Sequence, residues 1–198
     1  MPPVTQALLI ANVAVYLLQS AGGGALLEWF ALWPPGGPGS GFEPWQLVSY
    51  SFLHGGLAHI FFNMFALYMF GADIERLFGS RFFFAYYFAS VVSAALCHLL
   101  VSAWLGAPAV PIIGASGGIY GVLLAFGVYF PRRMVMLVFP PIPMQARTFV
   151  VLFGVLELIF GVTGTAAGVA HFAHLGGMLG GGLMIQYRRR GFPFARPR

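Results

Sequence analysis

Apolar residues in this chain come in long runs, broken by short clusters of glycine, proline, polar and basic residues. A helix that spans a bilayer needs about 20 predominantly apolar residues, within a working range of roughly 17 to 25. Six runs meet that requirement: 4–21, 54–73, 82–104, 112–130, 148–164 and 168–187. The pattern predicts an all-α integral membrane bundle of six transmembrane helices. Residues 4–21 have no basic flank before them and read as a first span rather than a cleaved signal peptide. The interval 22–53 is rich in Gly, Pro and aromatic residues and predicts a first loop lying partly in the membrane surface. Trp29, Trp33 and Trp45 in that loop, with Trp104 at the end of the third run, stand where an interfacial aromatic belt belongs. Residues 1–198 read as a single membrane domain with no internal repeat and no soluble domain.

Charge gives the bundle an orientation. The chain has 10 basic residues, all arginine, in three clusters. These are Arg76 with Arg81; Arg132, Arg133 and Arg147; and Arg188 to Arg190 with Arg196 and Arg198. Each pair of clusters is separated by two apolar runs, and the connections at their midpoints carry no basic residue. Under the positive-inside rule every arginine is cytoplasmic, so both termini are cytoplasmic and the connections 22–53, 105–111 and 165–167 face outward. Composition agrees: 59% of residues are hydrophobic and 8% charged, and mean hydropathy is +0.84. A soluble domain carries far more charge. The formal charge of +5 does not mark a nucleic-acid surface, because the arginines flank apolar runs; they read as orientation signals and contacts to anionic lipid. Cys97 is the one cysteine, which excludes an internal disulfide.

Polar residues inside a bilayer are expensive, so each is a functional candidate. In the predicted topology, Ser116 lies about one turn into the fourth span and His59 a little over one turn into the second. Asn63 lies one turn further along the same face, and His174 lies one to two turns into the sixth span. These residues share a layer roughly 5–13 Å below the outer helix ends. A serine hydroxyl is a weak nucleophile until a histidine nitrogen within about 3 Å takes its proton. Its short side chain reaches a neighbouring helix only where backbones approach closely. Gly117 and Gly121 beside Ser116, and Gly177 and Gly181 at i+3 and i+7 from His174, have the small-residue spacing that permits such an approach. Tyr120, one turn from Ser116, is placed to support the imidazole. The orphan N–H groups of a helix N-terminus at Ser116, with Asn63 and His59, offer donors for a developing oxyanion. No carboxylate accompanies the pair: Asp73 and Glu75 fall at the inner face and Glu28 and Glu43 in the outer loop, so the reading is a Ser–His dyad. Glu157, the one acid inside a span, has no assigned role.

His171, one turn before His174, is the alternative base, and the glycine register selects His174. Cys97 and His98 read as packing or bridging groups. Gly114-Ala-Ser116-Gly117-Gly118 also matches the G-x-S-x-G elbow of α/β-hydrolases, which requires a strand before the serine; the helical context excludes it. A metal-dependent hydrolase built from His54, His59, His98, His171 and His174 lacks the H-E-x-x-H pattern. A transporter lacks repeat symmetry and paired broken helices.

Four motifs together resemble those of the rhomboid intramembrane serine proteases: His54-x4-His59-x3-Asn63, Glu75-Arg76-x2-Gly79, Gly114-x-Ser116-Gly117 and His174-x2-Gly177-x3-Gly181. The similarity runs from the first span to the sixth. It implies a rhomboid-like bundle in the bacterial inner membrane, with Ser116 as nucleophile and His174 as general base. It further implies an oxyanion hole of His59, Asn63 and the Ser116 backbone, with Tyr120 bracing His174. The implied substrates are the transmembrane segments of other proteins, with no metal or organic cofactor and no nucleic acid. A rhomboid-like binding protein without activity is the non-enzymatic alternative. One departure is Gln46, which follows Trp45 where family members often carry arginine.

Overall fold

The computed structural model describes residues 1–22, 24–35, 41–105, 110–137, 140–164 and 170–190. Arg196, Arg198, the connection 165–167 and most of 105–111 lie outside the described residues. Helix α1 spans Pro3–Gly22, and the first loop carries the short helices α2 (Ala25–Phe30) and α3 (Gln46–Ser49) and a 3-10 turn, Tyr50–Phe52. The second run forms one rod: α4 (Leu57–Ala66), a π-helical turn (Leu67–Gly71) and α5 (Ala72–Phe78). Then follow α6 (Ser80–Leu105), α7 (Ser116–Tyr129), α8 (Ala146–Thr163) and α9 (His171–Arg189). The helices α1 and α8, the rod Leu57–Phe78 and most of α6 are long and apolar enough to cross a membrane. Helix α7 has 14 residues, and α9 has 19, rich in glycine and basic at its end.

Three spans start three or four residues later than the hydropathy pattern places them. The second span begins at Leu57 rather than 54, the fourth at Ser116 rather than 112, and the sixth at His171 rather than 168. The fourth is delayed by Gly114, whose φ of 125° belongs to a region open to glycine and closed to a helix interior. In consequence His59, Ser116 and His174 all fall in the first turns of their helices rather than a turn or more inside. Between α7 and α8 an antiparallel hairpin of β1 (Met134–Met136) and β2 (Pro143–Gln145) pairs Val135 with Met144. It is a small addition to an otherwise all-helical fold.

Helices α6, α7 and α9 form the centre. Lipid tails are as apolar as leucine, so helices in a bilayer associate through close van der Waals contact and hydrogen bonds rather than through hydrophobic burial. Phe83, Tyr86, Tyr87, Val91 and Ala94 make the buried face of α6. Tyr86 donates to the Gly121 carbonyl at 2.6 Å and Ser93 to the Gly176 carbonyl at 2.8 Å. Cys97 packs on the same seam, against Gly176, and His98 lies 3.4 Å from Ser102 within α6.

Glu75 is buried to 1% exposure because it caps α1. Its carboxylate accepts from the Val4 N–H at 2.9 Å, from the Thr5 N–H at 2.7 Å and from the Thr5 and Ser80 hydroxyls, each at 2.7 Å. Two orphan N–H groups of a helix N-terminus are thereby satisfied, and the negative charge sits at the positive end of the helix dipole. On the same side the arginine clusters converge. Asp73 accepts from Arg76 at 2.9 Å and from Arg133 at 2.7 Å. Arg188 donates to the carbonyls of Phe78 and Leu77 at 3.1 and 3.2 Å and lies 4.5 Å over the Phe78 ring. One face therefore holds members of all three clusters, as the charge alternation requires.

Replacing Glu75 with alanine leaves these buried donors without their acceptor. Thermal unfolding in detergent is expected to show a loss of about 3 kcal/mol, with α1 detaching first by hydrogen exchange.

Candidate active site

Ser116 is the first residue of α7, and its position is set from below and behind. The Gly114 N–H donates to the Tyr50 carbonyl at 2.9 Å, and Leu32 and Ile112 bridge reciprocally at 3.1 Å; the first loop thus holds the segment entering α7. A Cβ on Gly114 would lie 2.9 Å from the His59 ring, so both its φ and its crowding demand glycine. The first N–H groups of α7 have no carbonyl one turn back.

Helix α9 meets α7 backbone to backbone. A Cβ on Gly177 would fall inside the Gly117 carbonyl oxygen and 2.8 Å from its carbon. One turn on, a Cβ on Gly181 would lie 3.1 Å from the Gly121 Cα. That approach lets the Ser116 hydroxyl reach His174: Oγ and Nε2 are 2.8 Å apart. Tyr120 stacks on the His174 ring with centroids 4.3 Å apart and planes 5° from parallel. The structure therefore brings Ser116, His174, Tyr120, Gly114, Gly117, Gly177 and Gly181 into one group.

His59 and Asn63 lie on the far side of Gly114. The Gly55 N–H donates to His59 Nδ1 at 3.2 Å, which in a neutral imidazole puts the ring proton on Nε2, the nitrogen facing Gly114 and the serine. The Asn63 amide donates to the His59 carbonyl at 2.9 Å, occupying one of its two N–H groups. His54 is buried and meets the His59 ring edge-on at 5.0 Å.

One element was missed by the sequence reading. A carboxylate does accompany the pair: Glu157 of α8 projects between α7 and α9. Its Oε1 lies 2.9 Å from His174 Nδ1 and accepts from the Tyr120 hydroxyl, and its Oε2 lies 2.6 Å from His171 Nδ1. The oxygen sits off the His174 N–H axis, so this contact has ion-pair distance without linear hydrogen-bond alignment. His171 is thus engaged with Glu157, while His174 faces the serine. The signal lay in the buried stripe of α8, where Ala146, Val150 and Glu157 are spaced at i, i+4 and i+11, a helical face that ends in an acid.

Glu157, His171 and His174 also place donor atoms within 4.8 Å of one another. Around zinc, ligand atoms about 2.0–2.1 Å from the ion in tetrahedral array stand roughly 3.3 Å apart. The 2.6 and 2.9 Å separations are tighter than that; the first is a direct hydrogen bond and the second an ion-pair contact. Among the described residues His54 and His98 do not join this cluster.

Gln46 is fully buried and ties the first loop together. Its Oε1 accepts from the Trp33 N–H at 3.1 Å, and its Nε2 donates to the carbonyls of Gly41 at 3.1 Å and Trp29 at 3.4 Å. The amide supplies both a donor and an acceptor at the position where arginine supplies donors only.

Apolar helices packed on glycine around a serine–histidine contact define a polytopic membrane protein with a hydrolase-like site. A rhomboid domain matches residues 41–191, and the chain belongs to the rhomboid family; it is an integral membrane protein. It is 29% identical over 141 residues to the rhomboid protease GluP of Bacillus subtilis (strain 168), covering 70% of this chain and 25% of that protein. It is 30% identical over 150 residues to rhomboid protein 1, mitochondrial, of Saccharomyces cerevisiae, covering 72% and 41%. To the rhomboid protease GlpG of Klebsiella pneumoniae it is 28% identical over 184 residues, covering 90% and 60%. The chain thus spans between a quarter and three fifths of the length of these relatives.

The backbone contact generates a sharp expectation. A side chain at position 177 must push α9 off α7, and a misplacement of about 1 Å at reacting atoms lowers rate about 10²-fold. Gly177→Val is expected to remain inserted and helical yet turn over a transmembrane substrate at least 10²-fold more slowly. Its Ser116 should also label slowly with a fluorophosphonate.

Proposed function

We propose that the chain is an intramembrane serine endopeptidase that cleaves peptide bonds in or beside the transmembrane helix of another protein. The observation that carries this reading is the 2.8 Å contact between Ser116 Oγ and His174 Nε2, inside a family whose named relatives include proteases. His174 takes the hydroxyl proton as Ser116 attacks the scissile carbonyl, then delivers it to the leaving amine. The oxyanion formed in that attack is held by the N–H groups at the start of α7 with the His59 Nε2–H and the free N–H of Asn63. Water then enters and, with His174 again acting as base, releases the acyl group.

Substrate reaches this site from the lipid as a helix and must unwind locally to present an extended bond. Small residues at that bond and helix-breaking residues nearby favour cleavage, because the serine is hemmed in by Gly114, Gly117 and the stacked Tyr120–His174 rings. No cofactor enters the mechanism. The arginine-bearing face lies in the cytoplasm of a bacterial inner membrane, with the serine nearer the opposite face.

The deciding experiment uses purified protein in detergent with a generic transmembrane substrate. A fluorophosphonate is expected to label Ser116, and both labelling and turnover are expected to vanish in Ser116→Ala. Turnover is expected to survive EDTA and phenanthroline. Loss of activity to chelator with recovery on zinc addition would transfer the assignment to a metal hydrolase, and a rhomboid-like binding protein would give no turnover with any variant. Reporter fusions after Arg81, Arg147 and Arg190 are expected to read as cytoplasmic; an external reading at any of them breaks the orientation.

A further inference from the structure

Helix α8 buries only three residues among its 18: Ala146, Val150 and Glu157. A carboxylate placed there is a large penalty unless donors meet it, and three side chains do so. The Tyr120 hydroxyl comes from α7, and His171 and His174 come from one face of α9 at i and i+3. Its side chain is 10% exposed, and those of His171 and His174 are 8% and 11% exposed. The phenol and the two imidazoles meet both carboxylate oxygens, and the one that accepts from Tyr120 lies 2.9 Å from His174 Nδ1. We infer that Glu157 is a positioning residue for the general base, turning the Ser116–His174 pair into a Ser–His–Glu triad drawn from α7, α9 and α8.

The inference rests on the reading of Ser116 and His174 as nucleophile and base. For His174 to accept the Ser116 proton at Nε2, its resting proton must be on Nδ1, and a carboxylate oxygen 2.9 Å from Nδ1 selects that tautomer. Once the Ser116 proton arrives, the imidazole carries a positive charge, and the adjacent carboxylate stabilises it without itself taking a proton. The off-axis resting contact fits this role, since catalytic hydrogen bonds in a free enzyme tighten as charge develops. Tyr120 and Glu157 divide the work. Stacking fixes the plane of the His174 ring, while the carboxylate fixes its protonation and its rotation within that plane. His171 acts one step further out, holding the second carboxylate oxygen at 2.6 Å.

Steady-state cleavage of a transmembrane substrate by Glu157→Gln and Glu157→Asp tests this. Removing the acid of such a triad lowers kcat by up to about 10⁴-fold elsewhere. Here, with Tyr120 still stacked, Glu157→Gln is expected to lose about 10²-fold or more in kcat with KM within about twofold. Glu157→Asp, which restores the charge on a shorter arm, is expected to recover at least a tenfold part of that loss. A purely structural carboxylate predicts otherwise: Gln within about threefold of wild type, or Asp no better than Gln, and either result overturns the inference. A measurement on the unmodified protein removes dependence on variant folding. Nitrogen-15 NMR of histidine-labelled wild type, with His174 assigned by its loss in His174→Ala, is expected to show the proton on Nδ1. A proton resident on Nε2 overturns the inference. Ser116→Ala in the same assay separates the two layers. Turnover retained there sinks the nucleophile reading and the triad together, whereas a dead Ser116→Ala beside a fully active Glu157→Gln sinks the triad alone.

Discussion

Contact between the backbones of α7 and α9 is the constraint on which everything else at the site depends. A serine side chain places its oxygen a little over 2 Å from its own Cα, and ordinary helix pairs stand 8–10 Å apart. Only a seam without side chains closes that gap. Gly117 and Gly121 on one helix and Gly177 and Gly181 on the other supply it, and the space between them is already filled by main-chain atoms. The second seam of α9, through Gly176 and Gly180 against Ser93 and Ala94 of α6, fixes the helix from its other side. With both seams occupied, α9 has little freedom to move without losing contacts on one of them. His174 is held by helix packing before any hydrogen bond is considered.

Two buried glutamates show how the fold handles charge in an apolar setting. Glu75 is satisfied by two backbone N–H groups and two hydroxyls. Glu157 is met by a phenol and two imidazoles. The difference in partners matters chemically. Amides and hydroxyls at Glu75 keep the same protons throughout, so that carboxylate serves only to anchor α1. An imidazole can carry its proton on either ring nitrogen, so a carboxylate beside one influences where that proton resides. The same physical requirement, that a buried acid be met by donors, gives a structural clasp in one place and, in the other, the contacts on which the inferred triad rests.

Much of this was legible in the sequence, and what was not has a common cause. Periodicity along one helix is encoded locally, so the six apolar runs, the placement of Asn63 one turn from His59 and the glycine register after His174 could all be read. Charge alternation placed the arginines on one side, and Asp73 bridging Arg76 with Arg133 is the contact that alternation implies. The helix starts were displaced by about three residues because a glycine such as Gly114 counts as apolar in a hydropathy window while its backbone excludes helix. Glu157 went unassigned because its contacts depend on the rotation of α8 about its axis relative to α7 and α9, which no single-helix pattern specifies. Depth alone would have narrowed it. At 1.5 Å per residue, Glu157 stands roughly 17 Å from the start of α8. Ser116 and His174 stand roughly 20 and 23 Å from the arginine-side ends of their helices. Gln46 departs from the arginine common in the family, yet the loop offers one N–H and two carbonyls to be met, and an amide answers both kinds.

The shortness of α7 gives these positions their chemical sense. Fourteen residues reach roughly 21 Å, while the hydrocarbon core is about 30 Å thick. With its C-terminal end beside Arg132 and Arg133, α7 therefore begins roughly 9 Å short of the opposite boundary. That shortfall is bridged by the extended segment entering at Gly114, whose backbone polar groups are met by Tyr50 and Leu32. Non-helical backbone at membrane depth survives only where it is buried in protein or lines a wet cavity, and the first loop, tied down through Gln46, provides the burial. A full-length helix would have carried its first-turn N–H groups out to the head groups, where water competes for them. Ending it early leaves those donors, and the serine among them, inside a low-dielectric layer close enough to the surface for a single water to arrive. The peptide hydrolysis proposed for this site needs both conditions, and the truncated helix supplies them together.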